Sequence, residues 1–244
     1  MATPSSSLAA GVGRIIKVAV AALVIPFAIG LLRSILDALQ VPTASGRTYA
    51  EWATWGFAAY VGMHLLLYRP LGLFRVSHRM FSTLAVWLFG GQVASTEGGK
   101  GAGRGGGKRS RDGEGGDSPA AQGSTLVAFS PYVIPLYVIL ASLAALVLRH
   151  RLSPEWVEAP AGFLLGFLMA FHWIMTADDL QQQRERWHIE TYLLALGLVF
   201  VLTLLISGAC LPWAVPGFSF VSALSEALSR TQAMYAWLVS RLFL

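Results

Sequence analysis

The chain has 244 residues, of which 55% are hydrophobic and 13% are charged, and its mean hydropathy is +0.58. Soluble domains carry about 25% charged residues, so this balance excludes an ordinary soluble protein and indicates an integral membrane protein. The formal charge of +5 does not indicate a nucleic-acid partner, because basic residues commonly flank membrane helices and set their orientation. The single cysteine, Cys210, excludes an intrachain disulfide and a cysteine-based metal site.

Two long apolar stretches predict membrane helices in the first third of the chain. Residues 1–14 precede them and are expected to form a disordered tail. Residues 15–32 are long enough to cross a hydrocarbon layer of about 30 Å as a helix. Residues 52–68 begin with tryptophans and end with a tyrosine, as is typical of membrane interfaces. His64 lies inside this second stretch, where a buried contact to another helix and a metal or proton role are both open.

A short apolar helix is predicted at residues 76–93, ended by a Gly-Gly pair. Its first turn contains His78, Arg79 and Ser82. In zinc proteases with the motif His-Glu-x-x-His, the two histidines lie on one helix face and hold the metal, while the glutamate is the general base. Here Arg79 occupies the glutamate position and Ser82 the position of the second histidine. The pattern is that of a degenerate metalloprotease motif.

The sequence around this motif resembles a bacterial branch of the site-2 protease family of intramembrane zinc metalloproteases. The resemblance rests on three blocks that follow one another in the expected order: residues 68–93 with Arg69-Pro70 and Trp87-Leu-Phe-Gly-Gly91, residues 126–137 with Ser130-Pro131-Tyr132 and Pro135-Leu136-Tyr137, and residues 166–180 with Phe171-His172 before Asp178-Asp179-Leu180. It implies a multi-pass protein of the cytoplasmic membrane of a bacterium. In that family the activity is that of a zinc metalloendopeptidase.

The degenerate motif argues against catalysis. A catalytic zinc ion needs about three protein ligands and an open position for water, whereas the motif retains His78 alone. Arg79 brings a permanent positive charge beside the metal position, and loss of a general base typically lowers the rate about 10²- to 10⁴-fold. The resemblance puts His172 and Asp178 where a third ligand is expected. His78, His172 and Asp178, with His64 in the preceding helix, are therefore the candidate metal ligands of a rebuilt zinc site, and no cofactor is expected otherwise.

Residues 94–124 contain 11 of the 25 glycines together with charges of both signs. Such a stretch buries too little apolar surface to offset the entropy of ordering, so it is expected to be a disordered loop. The family has a β-hairpin at this place, which is thought to help present the substrate.

Residues 125–213 are expected to contain three more membrane helices, at residues 126–148, 161–177 and 192–211. Pro131 and Pro135 either share one face of the first of these helices or belong to a non-helical segment buried in protein. The spacing of Gly162 and Gly166 lets another helix approach closely. Residues 214–244 form an amphipathic or membrane helix, whose periodicity favours a position along the membrane surface.

The sequence thus predicts an all-α fold, a polytopic transmembrane bundle of about five to seven helices with a disordered Gly-rich insert. The predicted function is that of a pseudoprotease, a non-enzyme that contacts lipids and binds or scaffolds other membrane proteins. One alternative is an active metalloendopeptidase that cleaves membrane-proximal substrates with a rebuilt zinc site. Another is a small transporter or channel subunit, which would have paired charges or half-helices at the membrane midplane.

Orientation depends on the helix at residues 76–93. If that helix does not cross the membrane, the N-terminus shares one side with 12 of the 18 lysines and arginines. The positive-inside rule then puts this side in the cytoplasm.

Overall fold

The computed structural model describes residues 4–67, 76, 80, 83–84, 87, 92–93, 121–122, 132–182 and 188–243. Helices dominate these ranges, which confirms the predicted all-α class. The elements with described bounds are six helices, α1 (Pro4–Ala38), α2 (Tyr49–Leu66), α3 (Leu136–Arg149), α4 (Pro154–Gln182), α5 (Ile189–Ala214) and α6 (Phe220–Phe243), and two short strands, β1 (Gln92–Val93) and β2 (Ala121–Gln122).

Three helices are long and apolar enough to cross a membrane: residues Gly11–Ala38 of α1, all of α4 and all of α5. Large apolar side chains lie on the exposed surface of α1, where Ile15 is 71% and Ile25 57% exposed. Of the predicted membrane helices, α2 has 18 residues but is not among these three. Helix α3 has 14 residues, which is fewer than the roughly 20 residues that span a bilayer.

Helix α1 begins at Pro4, so most of residues 1–14 are helical rather than a disordered tail. Proline is well accommodated in the first turn of a helix, where its missing N–H has no partner to lose. Contacts to α5 hold the first part of α1. Arg14 forms an ion pair of 3.4 Å with Glu190, and Lys17 donates a hydrogen bond of 3.0 Å to the Thr191 hydroxyl.

Helices α1, α3 and α5 run in one direction and α2, α4 and α6 in the other. In each parallel pair the contacting residue numbers rise together: Arg14 with Glu190 and Ile35 with Gly208 for α1 and α5, Ala53 with Gly166 and Tyr60 with Phe171 for α2 and α4, and Val133 with Thr203 and Arg149 with Ala214 for α3 and α5. In each antiparallel pair one residue number rises as the other falls. Helices α3 and α4 are joined by a tight turn between Arg149 and Pro154, and Tyr132, just before α3, contacts His172. Helices α1 and α6 contact each other through Leu23 with Tyr235 and through Asp37 with Arg230.

The helix directions fix where α2 ends and where α3 begins. The last residue of α2, Leu66, lies at the end of the bundle where α1 begins, which we call the N-terminal end. Residues 132–133 contact His172 and Thr203 nearer the middle of α4 and α5, and α3 runs from there toward the opposite end.

Helices α2 and α4 pack with their backbones in contact. A Cβ added to Gly166 would lie 1.9 Å from the Ala53 carbonyl oxygen, and one added to Gly56 would lie 1.9 Å from that of Phe163. The added Cβ of Gly162 would lie 2.9 Å from the Cβ of Trp52. The close approach predicted from the spacing of Gly162 and Gly166 is confirmed, and the helix that approaches is α2 of the same chain.

The predicted helix at residues 126–148 is interrupted, because Tyr132 and Val133 are helical, Ile134 and Pro135 are not, and α3 begins at Leu136. Proline lacks an N–H and constrains the residue before it to extended backbone, so the helix starts after the proline. Pro135 is almost completely buried. Of the two placements predicted for this proline, the structure has the non-helical segment buried in protein. Residues 126–131, with Pro131, lie outside the described residues.

Helix α6 is amphipathic, as predicted, and the side that packs on the other helices carries small residues. Its buried residues are Ala223, Ala227 and Thr231, which face α1, whereas Leu228 is 55% exposed. A Cβ added to Gly30 of α1 would lie 2.8 Å from the Thr231 hydroxyl oxygen. Small side chains on both helices allow this close packing, which larger leucines would prevent.

Strands β1 and β2 flank most of the Gly-rich segment and pair in antiparallel register, Gln92 with Gln122 and Val93 with Ala121. Residues 121–122 were expected to belong to the disordered loop, and the structure pairs them instead. The prediction of disorder for residues 94–120 and 123–124 lies outside the described residues.

Candidate functional site

The motif residues His78, Arg79 and Ser82 lie outside the described residues, as does most of the helix predicted at residues 76–93. Of the described members of that stretch, Val76, Met80, Thr83, Leu84 and Trp87 are helical, whereas Gln92 and Val93, which were predicted to end the helix, form β1. The structure therefore places the other predicted site residues, His64, His172 and Asp178, but not the motif itself.

His172 lies on α4 and is 2% exposed. Its Nε2 atom is 3.2 Å from the backbone carbonyl oxygen of Tyr132, in the segment that leads into α3. Because a carbonyl oxygen can only accept, Nε2 must carry a proton in this contact. A proton on Nε2 excludes that nitrogen from binding a metal, since a metal ion needs its free lone pair.

The next carbonyl along this segment is bound in the same way. The Thr203 hydroxyl of α5 donates to the Val133 carbonyl oxygen at 3.3 Å. Thr203 is completely buried. Two side chains on two different helices thus bind the carbonyls of the two helical residues that lie just before the break at Ile134 and Pro135. An unsatisfied carbonyl in this apolar interior would cost about 1–3 kcal/mol.

Aromatic rings from α2 and α3 pack on Phe171, the residue before His172. Tyr60 of α2 packs edge-on against Phe171, with ring centroids 5.6 Å apart. Tyr137 of α3 packs against the other side of Phe171 at 4.9 Å. His64 stacks on Tyr60 at 6.1 Å, one turn further along α2. Together these rings form an apolar cluster at the N-terminal end of the bundle.

Asp178 and His172 lie on different faces of α4, since six residues correspond to about 600° of helical rotation. His172 is buried whereas Asp178 is exposed. The carboxylate of Asp178 interacts electrostatically with Tyr60, which places it toward α2. His172 therefore contacts the segment before α3 through Tyr132, while Asp178 lies toward α2.

Among the described residues, no group of three His, Cys, Asp or Glu side chains lies close enough together to hold a metal ion. His64 and Asp178 both lie near Tyr60, while His172 faces the segment before α3. Since His78 is outside the described residues, the ligand set His78, His172 and Asp178 stays a prediction.

The carbonyls of Tyr132 and Val133, and the donor Thr203, were missed by sequence reasoning. Pro135 was the available signal, because a proline in an apolar stretch frees backbone carbonyls that some nearby donor must satisfy. The sequence does not show which donors lie near, since Thr203 is 70 residues away in the chain.

Comparison of the chain with protein-family models, curated proteins and solved structures finds no match. The resemblance to site-2 proteases consequently rests on the quoted sequence blocks.

Proposed function

We propose that this protein is a non-catalytic membrane scaffold, resembling site-2-type metalloproteases, that holds another membrane protein. The observation that carries the proposal is the contact between His172 Nε2 and the Tyr132 carbonyl at 3.2 Å. A histidine predicted as a zinc ligand is here a hydrogen-bond donor that fixes the start of α3. The degenerate motif, with Arg79 and Ser82 in place of the base and the second histidine, supports the same conclusion.

In this proposal α1, α2, α4, α5 and α6 cross the membrane, while the 14-residue α3 is too short to span the bilayer by itself. Helix α6 carries the argument, because Tyr235 donates to the Leu23 carbonyl and Thr231 packs on Gly30. Leu23 and Gly30 lie within the apolar part of α1 between Lys17 and Arg33. A helix that packs along a membrane span at this depth must itself lie within the membrane. We therefore place α6 across the bilayer rather than along its surface.

Exposed tryptophans support one boundary of this arrangement. Trp55 is 59%, Trp156 75% and Trp213 39% exposed, and all three lie near the end of the bundle opposite the N-terminal end. Tryptophan is enriched where the hydrocarbon meets the headgroups. Arg14, Lys17 and Arg241 lie toward the other end, at which α2 and α4 also end, and the sequence after each of these two helices holds further basic residues. The positive-inside rule places that end in the cytoplasm, here of a bacterial inner membrane.

Metal content tests the non-catalytic function. The full chain is purified in mild detergent, dialysed against trace zinc, and its bound metal is measured by elemental mass spectrometry beside His78→Ala. We expect zinc well below one ion per chain and no change in His78→Ala. Zinc near one ion per chain that is lost in His78→Ala would overturn the proposal in favour of an active metalloendopeptidase.

A partner-based test asks whether an associated protein is held or cut. Membrane proteins that co-purify with the chain are compared with and without the zinc chelator 1,10-phenanthroline during growth. A scaffold leaves the length and amount of its partner unchanged. A partner that is recovered at a greater length from cells grown with the chelator, and only from cells that produce the chain, would show that the chain cleaves it. As a positive reference, Arg79→Glu combined with Ser82→His should raise zinc affinity.

A small transporter or channel subunit is a second candidate, favoured by α3. This 14-residue helix starts after a break at Ile134 and Pro135, and the residue before the break, Val133, contacts Thr203 near the middle of α5. Half-helices that start at mid-membrane are typical of transporter binding sites. Reconstituted liposomes with opposed ion gradients would test it. Ion flux that the unaltered chain supports and His172→Gln abolishes would favour this function over a scaffold.

A further inference from the structure

Two basic side chains of α1 lie at the depth where the apolar parts of α1 and α5 begin. Arg14 contacts Glu190, and Lys17 contacts Thr191. No charged residue follows Lys17 in α1 before Arg33, and none follows Glu190 within α5. Both helices are among those long and apolar enough to cross a membrane. These contacts therefore mark the level at which the hydrocarbon layer meets the lipid headgroups.

The surface at this level is positive, because the acidic partner lies inside. The side chain of Glu190 is 11% exposed and that of Arg14 is 60% exposed, and the 3.4 Å contact between them is made by Nε of the guanidinium. The Lys17 ammonium donates to the neutral Thr191 hydroxyl at 3.0 Å, and in the described part of the chain no carboxylate pairs with it. An ammonium has three donors, so Lys17 can bind a further acceptor.

An exposed apolar strip of α1 runs from these cations into the membrane. It consists of Val18, Ala22 and Ile25, of which Val18 is 54% and Ile25 57% exposed. The strip follows Arg14 at helical spacings of four, four and three residues, which puts all four residues on one face of the helix. Half of a hydrocarbon layer of about 30 Å corresponds to roughly ten helical residues, so the strip has the length of one lipid leaflet.

We propose that Arg14 and Lys17 bind the phosphate of an anionic phospholipid whose tail lies along Val18, Ala22 and Ile25. Phosphate oxygens accept the charge-assisted hydrogen bonds that a guanidinium and an ammonium offer. Basic groups between membrane helices are a known means of holding anionic headgroups. A soluble phosphate would use the cations alone, whereas the apolar strip directly below them matches a lipid tail. The proposal rests on α1 and α5 lying in the membrane, and not on the scaffold activity or on α6.

Lipid binding to a charge variant tests the headgroup contact. The full chain is purified in mild detergent and supplied with equal amounts of phosphatidylglycerol and phosphatidylcholine, and bound lipid is measured by native mass spectrometry. Lys17→Gln removes the charge but keeps a donor for Thr191. We expect it to bind phosphatidylglycerol about fivefold more weakly, which is the contribution typical of one basic residue near the headgroups. An unchanged elution profile verifies that the variant is folded.

Matched variants separate this site from general charge. Lys17→Arg keeps the charge and should retain the binding. Arg33→Gln removes an exposed charge from the other end of α1 and should bind like the unaltered chain. Equal loss in Lys17→Gln and Arg33→Gln, or no preference for phosphatidylglycerol over phosphatidylcholine, would overturn the proposal. Displacement of the bound lipid by excess glycerol 3-phosphate would also overturn it, because the cations would then hold phosphate without need of the tail.

A second measurement locates the tail. A dye on Ile25→Cys is compared with a dye on Leu198→Cys, which is exposed on α5 and lies at the same depth, since Gly197 packs on Val24. The native Cys210 is 7% exposed and so is shielded from the dye. In phosphatidylcholine vesicles that contain a minor share of phosphatidylglycerol with brominated tails, we expect stronger quenching at Ile25→Cys. Addition of Lys17→Gln should lower it to the level of Leu198→Cys. Equal quenching at both positions without Lys17→Gln would refute the proposed lipid site.

Discussion

Gly166 of α4 lies directly against the backbone of Ala53 in α2, so that a Cβ on Gly166 would be 1.9 Å from the Ala53 carbonyl oxygen. This contact sets the distance between the two helices. Gly56 lies against the backbone of Phe163 in the same way. The two glycines therefore hold the helices close together at two points along their length. The position of α2, and with it of Tyr60 and His64, thus depends on residues without side chains.

Gly166→Ala should destabilise the protein strongly, because the new methyl group meets backbone atoms that can move only with the whole helix. Overpacking typically costs about 1–3 kcal/mol, and a backbone collision belongs at or above the upper end of that range. Unfolding in increasing SDS, followed by circular dichroism, measures the change. Gly62→Ala in α2 is the matched control, since its Cβ would have nothing within 4 Å. Equal loss of stability in both variants would contradict this account of the helix crossing.

Arg149 at the end of α3 caps the end of α5, since its Nη1 donates to the carbonyl oxygens of Ala214 at 3.3 Å and Trp213 at 3.5 Å. The last carbonyls of a helix have no helical partner, and a cation there is also favoured by the helix dipole. Arg149→Met should lower the free energy of unfolding by about 1 kcal/mol. The nearby exposed Arg151→Met serves as the control in the same SDS titration. If Arg151→Met were the more damaging change, the cap would not be the cause.

His172→Leu should leave the Tyr132 carbonyl without its donor and loosen the start of α3. The expected loss is about 1 kcal/mol in a membrane protein. His172→Gln keeps an N–H donor and should retain more of the stability. Hydrogen exchange of the amides at residues 136–139 is the specific readout, and it should rise in His172→Leu beyond its rise in His172→Gln. Unchanged exchange at these amides would argue against a positioning role for His172.

Because consecutive helices run in opposite directions, the connections between α3, α4 and α5 should lie on alternate sides of the membrane. Residue 243 should lie on the same side as residue 4. A green fluorescent protein fused after Leu244 should fluoresce, and alkaline phosphatase fused there should be inactive, because the basic end faces the cytoplasm. Alkaline phosphatase inserted in the turn after Arg149 should be active. The reverse pattern would show that the positive-inside rule fails for this chain.

The amino-acid sequence determined the class of this protein, because a low charge and long apolar stretches exclude a soluble fold whatever the helices contact. It also determined where close packing occurs, at Gly162 and Gly166, and where a helix must be interrupted, at Pro135. These are local effects of a missing side chain and a missing N–H.

Only the tertiary structure decided which helix fills each of these places. That α2 rather than a second chain packs on Gly166, that His172 and Thr203 supply the donors for the carbonyls before Leu136, and that α6 packs through Ala223, Ala227 and Thr231 all depend on contacts between residues distant in the chain. Hydrophobic periodicity marks the faces of a helix, but in a membrane both lipid and protein accept apolar side chains. Backbone proximity, which small residues permit, therefore selects the packed face.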